Sequence, residues 1–247
     1  MVTSTSLLAQ IVERVGGEKV DVINIIPPAQ CPGHFDVKPG DIQMLADADI
    51  FLMHGWQGEQ FTDDLIASAN NPDLGVFMID LPGNWMTPET QLQAIDRVSS
   101  IISQADAENS TDFRKSAESL KASITAKGAE MADKLAAAKM SEINVLCADQ
   151  QAGFVQWAGL NIVATFGRPD ELTPQVVKEL VDTGREGKVT LVIDNMQSGQ
   201  DAGAGIAEEL KSARVILSNF PGGYDNTETW EKTIEYNVVL LLAATGR

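Results

Sequence analysis

Apolar and polar residues alternate along the chain in two recurring patterns. Short runs rich in β-branched residues, bounded by Gly, Pro or polar residues, predict strands. Between them, apolar residues three or four positions apart predict amphipathic helices. Strands that alternate with helices are typical of α/β proteins with mainly parallel sheets wrapped by helices. The predicted strands cover 20–26, 48–53, 76–80, 143–147, 162–166, 189–193 and 213–217.

One long amphipathic stretch interrupts this alternation. Pro88 suits the first turn of a helix, and apolar side chains then recur at helical spacing from Phe113 to Leu135. A helix over 107–140 would be about 50 Å long at 1.5 Å per residue. We therefore predict two lobes joined by one long backbone helix. The predicted parts are an N-terminal α/β lobe over 1–87, a helical linker over 88–140 and a C-terminal α/β lobe over 141–247 with a closing helix.

Charge narrows the range of partners. The 247 residues include 18 Lys and Arg against 35 Asp and Glu, for a net charge of −17. Nucleic acids and anionic membranes are therefore poor partners, because phosphate contacts need clustered cations. No apolar run reaches the roughly 18 residues of a membrane-spanning helix. The first six residues also lack the basic start and apolar segment of a signal peptide.

Candidate chemistry is concentrated at the ends of the predicted strands. Cys31 and His34 follow the first strand, His54 follows the second, and Cys147 ends the first strand of the C-terminal lobe. Open α/β sheets bind ligands outside the carboxyl ends of their strands. Two thiolates and two imidazoles suit a tetrahedral zinc site. These four residues therefore form the predicted metal site, between the two lobes.

Each of these residues also has an ordinary interpretation. Cys147 is also interpreted as a core residue, His34 as a loop residue and His54 as a strand cap. A disulfide between Cys31 and Cys147 is a further alternative.

Catalytic machinery is not evident in the sequence. The chain has no G-x-S-x-G, H-E-x-x-H or phosphate-loop motif. Asp36, Asp149 and Asp194 could form a catalytic carboxylate cluster if they converge, but without a nucleophile or phosphate motif we predict that the chain is not an enzyme.

Several segments together resemble the zinc and manganese substrate-binding proteins of ABC importers, the TroA-like cluster A-I family. The similarity covers nearly the whole chain and is most specific in the N-terminal part. The segments that carry it are Thr3–Ala9, Val15–Gly17, Ile26–Pro28, His34, Pro39–Asp41, Leu45–Asp49, Trp85–Glu89, Phe154, Gly159–Leu160 and Pro221–Gly223.

This resemblance implies a metal held between two lobes, no enzymatic activity, and a location in the periplasm or on the outer cell face. It implies an ABC importer membrane permease as partner, and we expect a monomer. His34 matches the first metal histidine of the family. The other ligand positions depart from the pattern: the chain has Pro82–Trp85 before the linker, Cys147–Asp149 in place of His or Glu, and Ser218–Asn219 in place of Asp.

Two cargo hypotheses follow. In the first, Cys31, His34, His54 and Cys147 rebuild the site and capture a transition-metal ion, with Zn²⁺ favoured over Mn²⁺ because thiolates are soft ligands. In the second, the same scaffold binds a metal chelate or a corrinoid-type organic ligand. Trp56, Trp85 and Gln150–Gln151 would then line the cleft, with His34 or His54 as an axial ligand. An adhesin-like interaction protein is a further alternative within the family.

Overall fold

Two four-stranded parallel sheets form the framework of the chain. The computed structural model describes residues 1–247 apart from the side chain of Gln57. The first sheet has the order β2-β1-β3-β4 and the second the order β6-β5-β7-β8, with every described pairing parallel. The strands are β1 (Val2–Thr3), β2 (Ile23–Asn24), β3 (Ile50–Met53), β4 (Gly75–Met78), β5 (Asn144–Ala148), β6 (Asn161–Phe166), β7 (Leu191–Asn195) and β8 (Ala213–Leu217).

Helices cover these sheets and connect them, which confirms the predicted α/β class. None of the described helices is long and apolar enough to cross a membrane. The helices are α1 (Ser6–Gly16), α2 (Pro39–Ala46), α3 (Phe61–Ala69), α4 (Pro88–Ala105), α5 (Ser110–Ala137), α6 (Ala152–Trp157), α7 (Pro174–Glu186), α8 (Met196–Gly199), α9 (Ala204–Leu210) and α10 (Trp230–Thr245).

The first sheet differs from the prediction at its centre. The pattern misses β1, because Val2–Thr3 is too short for a period to show and is followed by Ser and Thr. Tertiary pairing makes it a strand, with β1 lying between β2 and β3. Strand β2 is shorter than the predicted 20–26, although Ile25 and Ile26 still donate backbone hydrogen bonds to Thr3 and Ser4 at 2.9 and 3.0 Å.

The linker consists of two helices, of which the second is the long backbone helix. Helix α4 ends before Asp106, whose carboxylate accepts hydrogen bonds from the backbone and side chain of Asn109 at 3.2 and 2.6 Å. The next helix, α5, has 28 residues and is therefore about 42 Å long. Its buried face is the predicted stripe from Phe113 to Leu135. Helix α5 packs against α1, α4 and α10.

The contact between α4 and α5 depends on a small residue. A Cβ atom on Gly128 of α5 would lie 2.6 Å from Cγ of Pro88, at the start of α4. Proline has no flexible end that could move away, so the two helices can approach this closely only where α5 lacks a side chain.

Gly128→Ala should therefore lower the free energy of unfolding by a net value of about 1–2 kcal/mol, despite the better helix propensity of alanine. Gly205→Ala is the matched control, because a Cβ on Gly205 of α9 meets no atom within 4 Å. Chemical denaturation should leave the control unchanged or more stable. Equal stability of the two variants would show that the helices are not in tight contact at Gly128.

Candidate functional site

A cavity of about 480 Å³ lies between the two lobes. Each of the eight strands is followed by a segment that contributes to its wall, because the carboxyl ends of parallel strands meet at one edge of each sheet. The lining residues are Leu7, Cys31, Pro32, Gly33, Trp56, Gly58, Gly83, Asn84, Trp85, Asp149, Gln150, Gly153, Arg168, Asn195, Gln197, Ser198, Asn219 and Phe220.

A second cavity of about 590 Å³ adjoins the first. The two share Pro32, Gly33, Gly58, Asp149, Gln150 and Arg168. The second cavity is also lined by Asp170 and Glu171, so charged groups are concentrated there. We call the first the inner cavity and the second the outer cavity.

Side-chain amides connect the lobes across the inner cavity. Asn84, just before the linker, donates to the backbone carbonyl of Gln150 at 2.9 Å and to Oδ1 of Asn219 at 3.2 Å. Asn219 donates to the same carbonyl at 2.8 Å. Gln197 donates to the carbonyl of Pro28 in the N-terminal lobe at 2.8 Å. Neutral hydrogen-bonding groups therefore make up much of the wall.

Aromatic rings form the opposite part of the wall. The indole of Trp56 is nearly parallel to the ring of Phe220 from the other lobe, with centroids 6.2 Å apart. Trp56 also stacks on His54, with ring centroids 3.7 Å apart. Trp85 meets His54 edge-on at 4.3 Å, and its carbonyl accepts a hydrogen bond from Trp230 at 3.1 Å. This packing fixes the orientation of the two cavity-lining indoles.

His54 supports the wall instead of facing the cavity. Its side chain is fully buried, and Nε2 forms a 2.6 Å hydrogen bond with Oγ1 of Thr5. Burial lowers the pKa of His54 well below the usual value, so the ring is neutral. The backbone N–H groups of His54 and Gly55 both donate to Oε2 of Glu59 at 2.8 Å. Burial raises the pKa of the Glu59 carboxyl.

The two cysteines occupy different environments. Cys147 is fully buried in the core, and this burial, with a smaller contribution from Asp149, raises the pKa of its thiol to about 12. Such a thiol is a poor source of the thiolate that binds metals. Cys31 lines the inner cavity. Both cysteines are free, so the alternative of a disulfide is not realised.

His34 points away from both cavities. It is exposed, and among the described residues it is the neighbouring Gly33 that lines the two cavities. A Cβ atom on Gly33 would lie 3.1 Å from Nη1 of Arg168. The guanidinium of Arg168 therefore takes the space that a side chain at position 33 would need.

The expected set of Cys31, His34, His54 and Cys147 is consequently not assembled. Among the described residues, no group of three or more His, Cys, Asp or Glu side chains could hold a metal ion. The physical reason is that residues at strand ends differ in orientation. His54 and Cys147 are buried in the core, His34 is exposed to solvent, and Cys31 lines the inner cavity.

The carboxylates considered for an enzyme do not form such a group either. Asp194 is fully buried, accepts from the backbone of Gly203 at 2.7 Å and pairs with Arg214 at 2.9 Å. Its burial raises the pKa of the carboxyl to about 6. Asp194 is therefore part of the structure of the C-terminal lobe.

Sequence reasoning missed Arg168 as a site residue. The signal was present, because Arg168 is a lone cation directly after the predicted strand 162–166. The sequence also places the amide side chains of Asn195, Gln197 and Asn219 just after predicted strands. Amide residues are common in loops, so their positions alone did not indicate a binding site.

The fold and the cleft define a two-lobed α/β binding protein. The chain matches the family described as zinc-uptake complex component A, periplasmic (ZnuA), over residues 1–244, and it belongs to that family. This membership confirms the predicted resemblance, the non-enzymatic class of an ABC transporter solute-binding protein, and the location outside the cytoplasm.

Individual relatives are distant. The manganese-binding lipoprotein MntA of Halalkalibacterium halodurans is 31% identical over 74 residues, which cover 30% of this chain and 25% of MntA. The metal ABC transporter substrate-binding lipoprotein SsaB of Streptococcus sanguinis is 22% identical over 76% of this chain and 69% of SsaB. The structure of the periplasmic zinc-binding protein TroA of Treponema pallidum superposes with a TM-score of 0.84 at 15% identity, over 100% of this chain and 98% of TroA. The last comparison shows the shared fold.

The buried neutral His54 should make stability depend on pH. Because its pKa is lower in the folded chain than the ordinary 6.5, its contribution is present above about pH 6.5 and is lost as the pH falls below that value. The maximum slope is about 1.4 kcal/mol per pH unit. Denaturation of the wild type and of His54→Gln between pH 7.5 and 5 measures this contribution.

The only other histidine gives the control, since the chain has two. His34→Gln removes an exposed imidazole and leaves the buried ring in place, so comparing its slope with that of His54→Gln isolates the effect of burial. Glu59 and Asp194 titrate in the wild type and in both histidine variants, so they do not affect the difference in slope between these proteins. A wild-type slope in His54→Gln would contradict the burial of a neutral ring.

The two thiols should react at different rates. Iodoacetamide at pH 8 should modify Cys31 in the folded chain more slowly than in the unfolded chain, since Cys31 lines the cavity but is only 8% exposed, and should leave the fully buried Cys147 unmodified until urea unfolds the chain. Peptide mass spectrometry with Cys31→Ser and Cys147→Ser variants assigns the sites. Native labelling of Cys147 would place it outside the core.

Proposed function

We propose that this chain is the solute-binding protein of an ABC importer for a transition metal, and that it delivers its cargo to a membrane permease. Membership in the zinc-uptake family supports this, as do the metal-binding relatives and a cleft between two lobes. Zinc is the first metal to test, because the family description names it. We also propose that the chain acts as a monomer without nucleic acid, in keeping with its net charge of −17.

We further propose that the metal is carried as a complex with a small organic ligand. A protein site for bare Zn²⁺ supplies three or four donors at about 2.0–2.3 Å. The described residues contain no group of three such side chains. The observation that carries this proposal is the inner cavity of about 480 Å³, a volume in the range that encloses organic molecules.

The wall of the inner cavity suits such a complex. Its amides donate and accept hydrogen bonds without binding a divalent cation strongly, and Trp56 and Phe220 offer flat apolar faces from opposite lobes. Cys31 is the cysteine that remains available as a direct contact. The cavity volume favours a small chelate over a corrinoid, and the burial of His54 removes that ring as an axial ligand.

Protein produced without an affinity histidine tag and purified without chelators should contain metal and organic ligand in equal amounts. Elemental analysis measures the metal, and native mass spectrometry measures the mass of the bound molecule. Trp56→Ala removes a face of the cavity and should lose most of the cargo. Trp157→Ala is the matched control, because Trp157 packs on Phe154 away from the cavity and the variant should keep its cargo.

The possible results separate the two parts of this proposal. If the protein contains a bare metal ion and no organic molecule, the proposal that the metal is carried as a complex is contradicted, while the proposal that the protein carries a metal still stands. Protein without metal in any form would contradict a metal carrier. Circular dichroism of both tryptophan variants checks that they fold.

A further inference from the structure

Arg168 has an unusual position for a charged side chain. It follows β6, is half-buried, and lines both the inner and the outer cavity. Four other arginines, Arg14, Arg185, Arg214 and Arg247, form ion pairs, and none of the described ion pairs includes Arg168.

The acidic residues of the outer cavity form no described ion pair with this guanidinium. Glu171, the nearest in sequence, uses Oε2 to accept a 2.8 Å hydrogen bond from the backbone N–H of Arg168. Asp149 and Asp170 also line the outer cavity, and neither forms one of the described ion pairs. Arg97 and Arg114 are also absent from those ion pairs, but both lie exposed on the linker helices, where water solvates them.

Gly33 of the N-terminal lobe creates the space for Arg168. Nη1 and Nη2 would lie 3.1 and 3.4 Å from a Cβ atom on Gly33, so the guanidinium rests against this residue. Gly33 is itself close to Gly58, where a Cβ would lie 3.2 Å from the Gly33 nitrogen. Two residues without side chains thus let a cation from one lobe reach the surface of the other.

We propose that Arg168 binds an anionic oxygen group, a carboxylate or a comparable oxyanion, on the organic ligand of the metal. The inference rests on the proposed function. The guanidinium offers a planar set of N–H donors that matches a carboxylate with two parallel hydrogen bonds. Asp149, Asp170 and Glu171 line the same outer cavity, so the selection acts locally: next to the guanidinium a bare divalent cation is repelled, and an anionic group on a metal complex is favoured.

The position of Arg168 also indicates how such a ligand lies. The side chain lines both cavities, so the anionic group lies where the cavities join. The remainder of the ligand extends toward Trp56 and the amides of the inner cavity. Cargo recognition is therefore divided between a charged contact at the mouth and neutral contacts inside.

Tryptophan fluorescence can test this inference, because Trp56 and Trp85 line the inner cavity. The probes are citrate, oxalate, zinc citrate, ZnCl₂ and the cationic complex of Zn²⁺ with tris(2-aminoethyl)amine, at one ionic strength. Wild type should bind at least one carboxylate probe saturably. Arg168→Gln should weaken that binding by at least about tenfold, which is typical of losing a charge-assisted hydrogen bond.

Two further variants separate specific recognition of the carboxylate by Arg168 from a general effect of the protein's positive charges. Arg168→Lys keeps the charge but not the planar pair of donors, and should bind with intermediate affinity. Arg185→Gln removes an exposed arginine that pairs with Asp182 and Glu209, and should bind as wild type does. Thermal melting of each variant checks that the fold is retained.

Each outcome decides a different question. The inference is overturned if no carboxylate probe binds saturably, if Arg168→Gln binds like wild type, or if the cationic zinc complex binds as tightly as zinc citrate. If the cationic zinc complex binds as tightly as zinc citrate, the proposal that the metal is carried as a complex still stands. If ZnCl₂ binds more tightly than every complex, and binds Arg168→Gln as tightly as wild type, the role of Arg168 and the proposed carriage of a complexed metal are both overturned.

Discussion

One continuous apolar core holds the two lobes in a fixed relation, and the geometry of the cleft depends on it. Buried side chains of α1, α4, α5 and α10 belong to a single cluster that also reaches both sheets. Around it, Arg14 of α1 pairs with Glu231 of α10 through two hydrogen bonds of 2.6 and 2.8 Å. Such a partly exposed ion pair contributes little beside the apolar burial, but it links helices that pack on different sheets. The strand ends of the two lobes consequently face each other across a gap of defined size.

His54, next to the cleft, shows how burial changes the chemistry of a side chain. His54 lies directly after β3, where the sequence places a ligand, yet its ring is enclosed by Trp56, Trp85 and Thr5. Desolvation keeps the ring neutral, and the hydrogen bond to Thr5 occupies Nε2. The residue therefore positions two indoles that line the cavity. In the structure its ring contacts these indoles and Thr5, and it does not line the cavity.

The cleft combines features that a site for a naked cation would not need. Amides from both lobes hold one another by hydrogen bonds, and the guanidinium of Arg168, which forms no ion pair among the described residues, rests against Gly33. A cation site concentrates negative donors on one point, whereas the inner wall presents mostly neutral dipoles with one carboxylate, Asp149, and one guanidinium, Arg168. The chain thus belongs to a metal-uptake family, and its inner cavity is lined mainly by neutral polar and aromatic groups.

Local patterns in the sequence determined the α/β class, seven of the eight strands and the buried stripe of α5, because these depend on the spacing of neighbouring residues. The sequence also indicated that binding residues follow the strands, since parallel strands end at one edge. Tertiary structure alone decided that Val2–Thr3 is a strand, that His54 and Cys147 face the core, and that Arg168 reaches Gly33. The direction of a side chain at a strand end depends on loops and on the opposite lobe, which lie far away along the chain and leave no periodic signal.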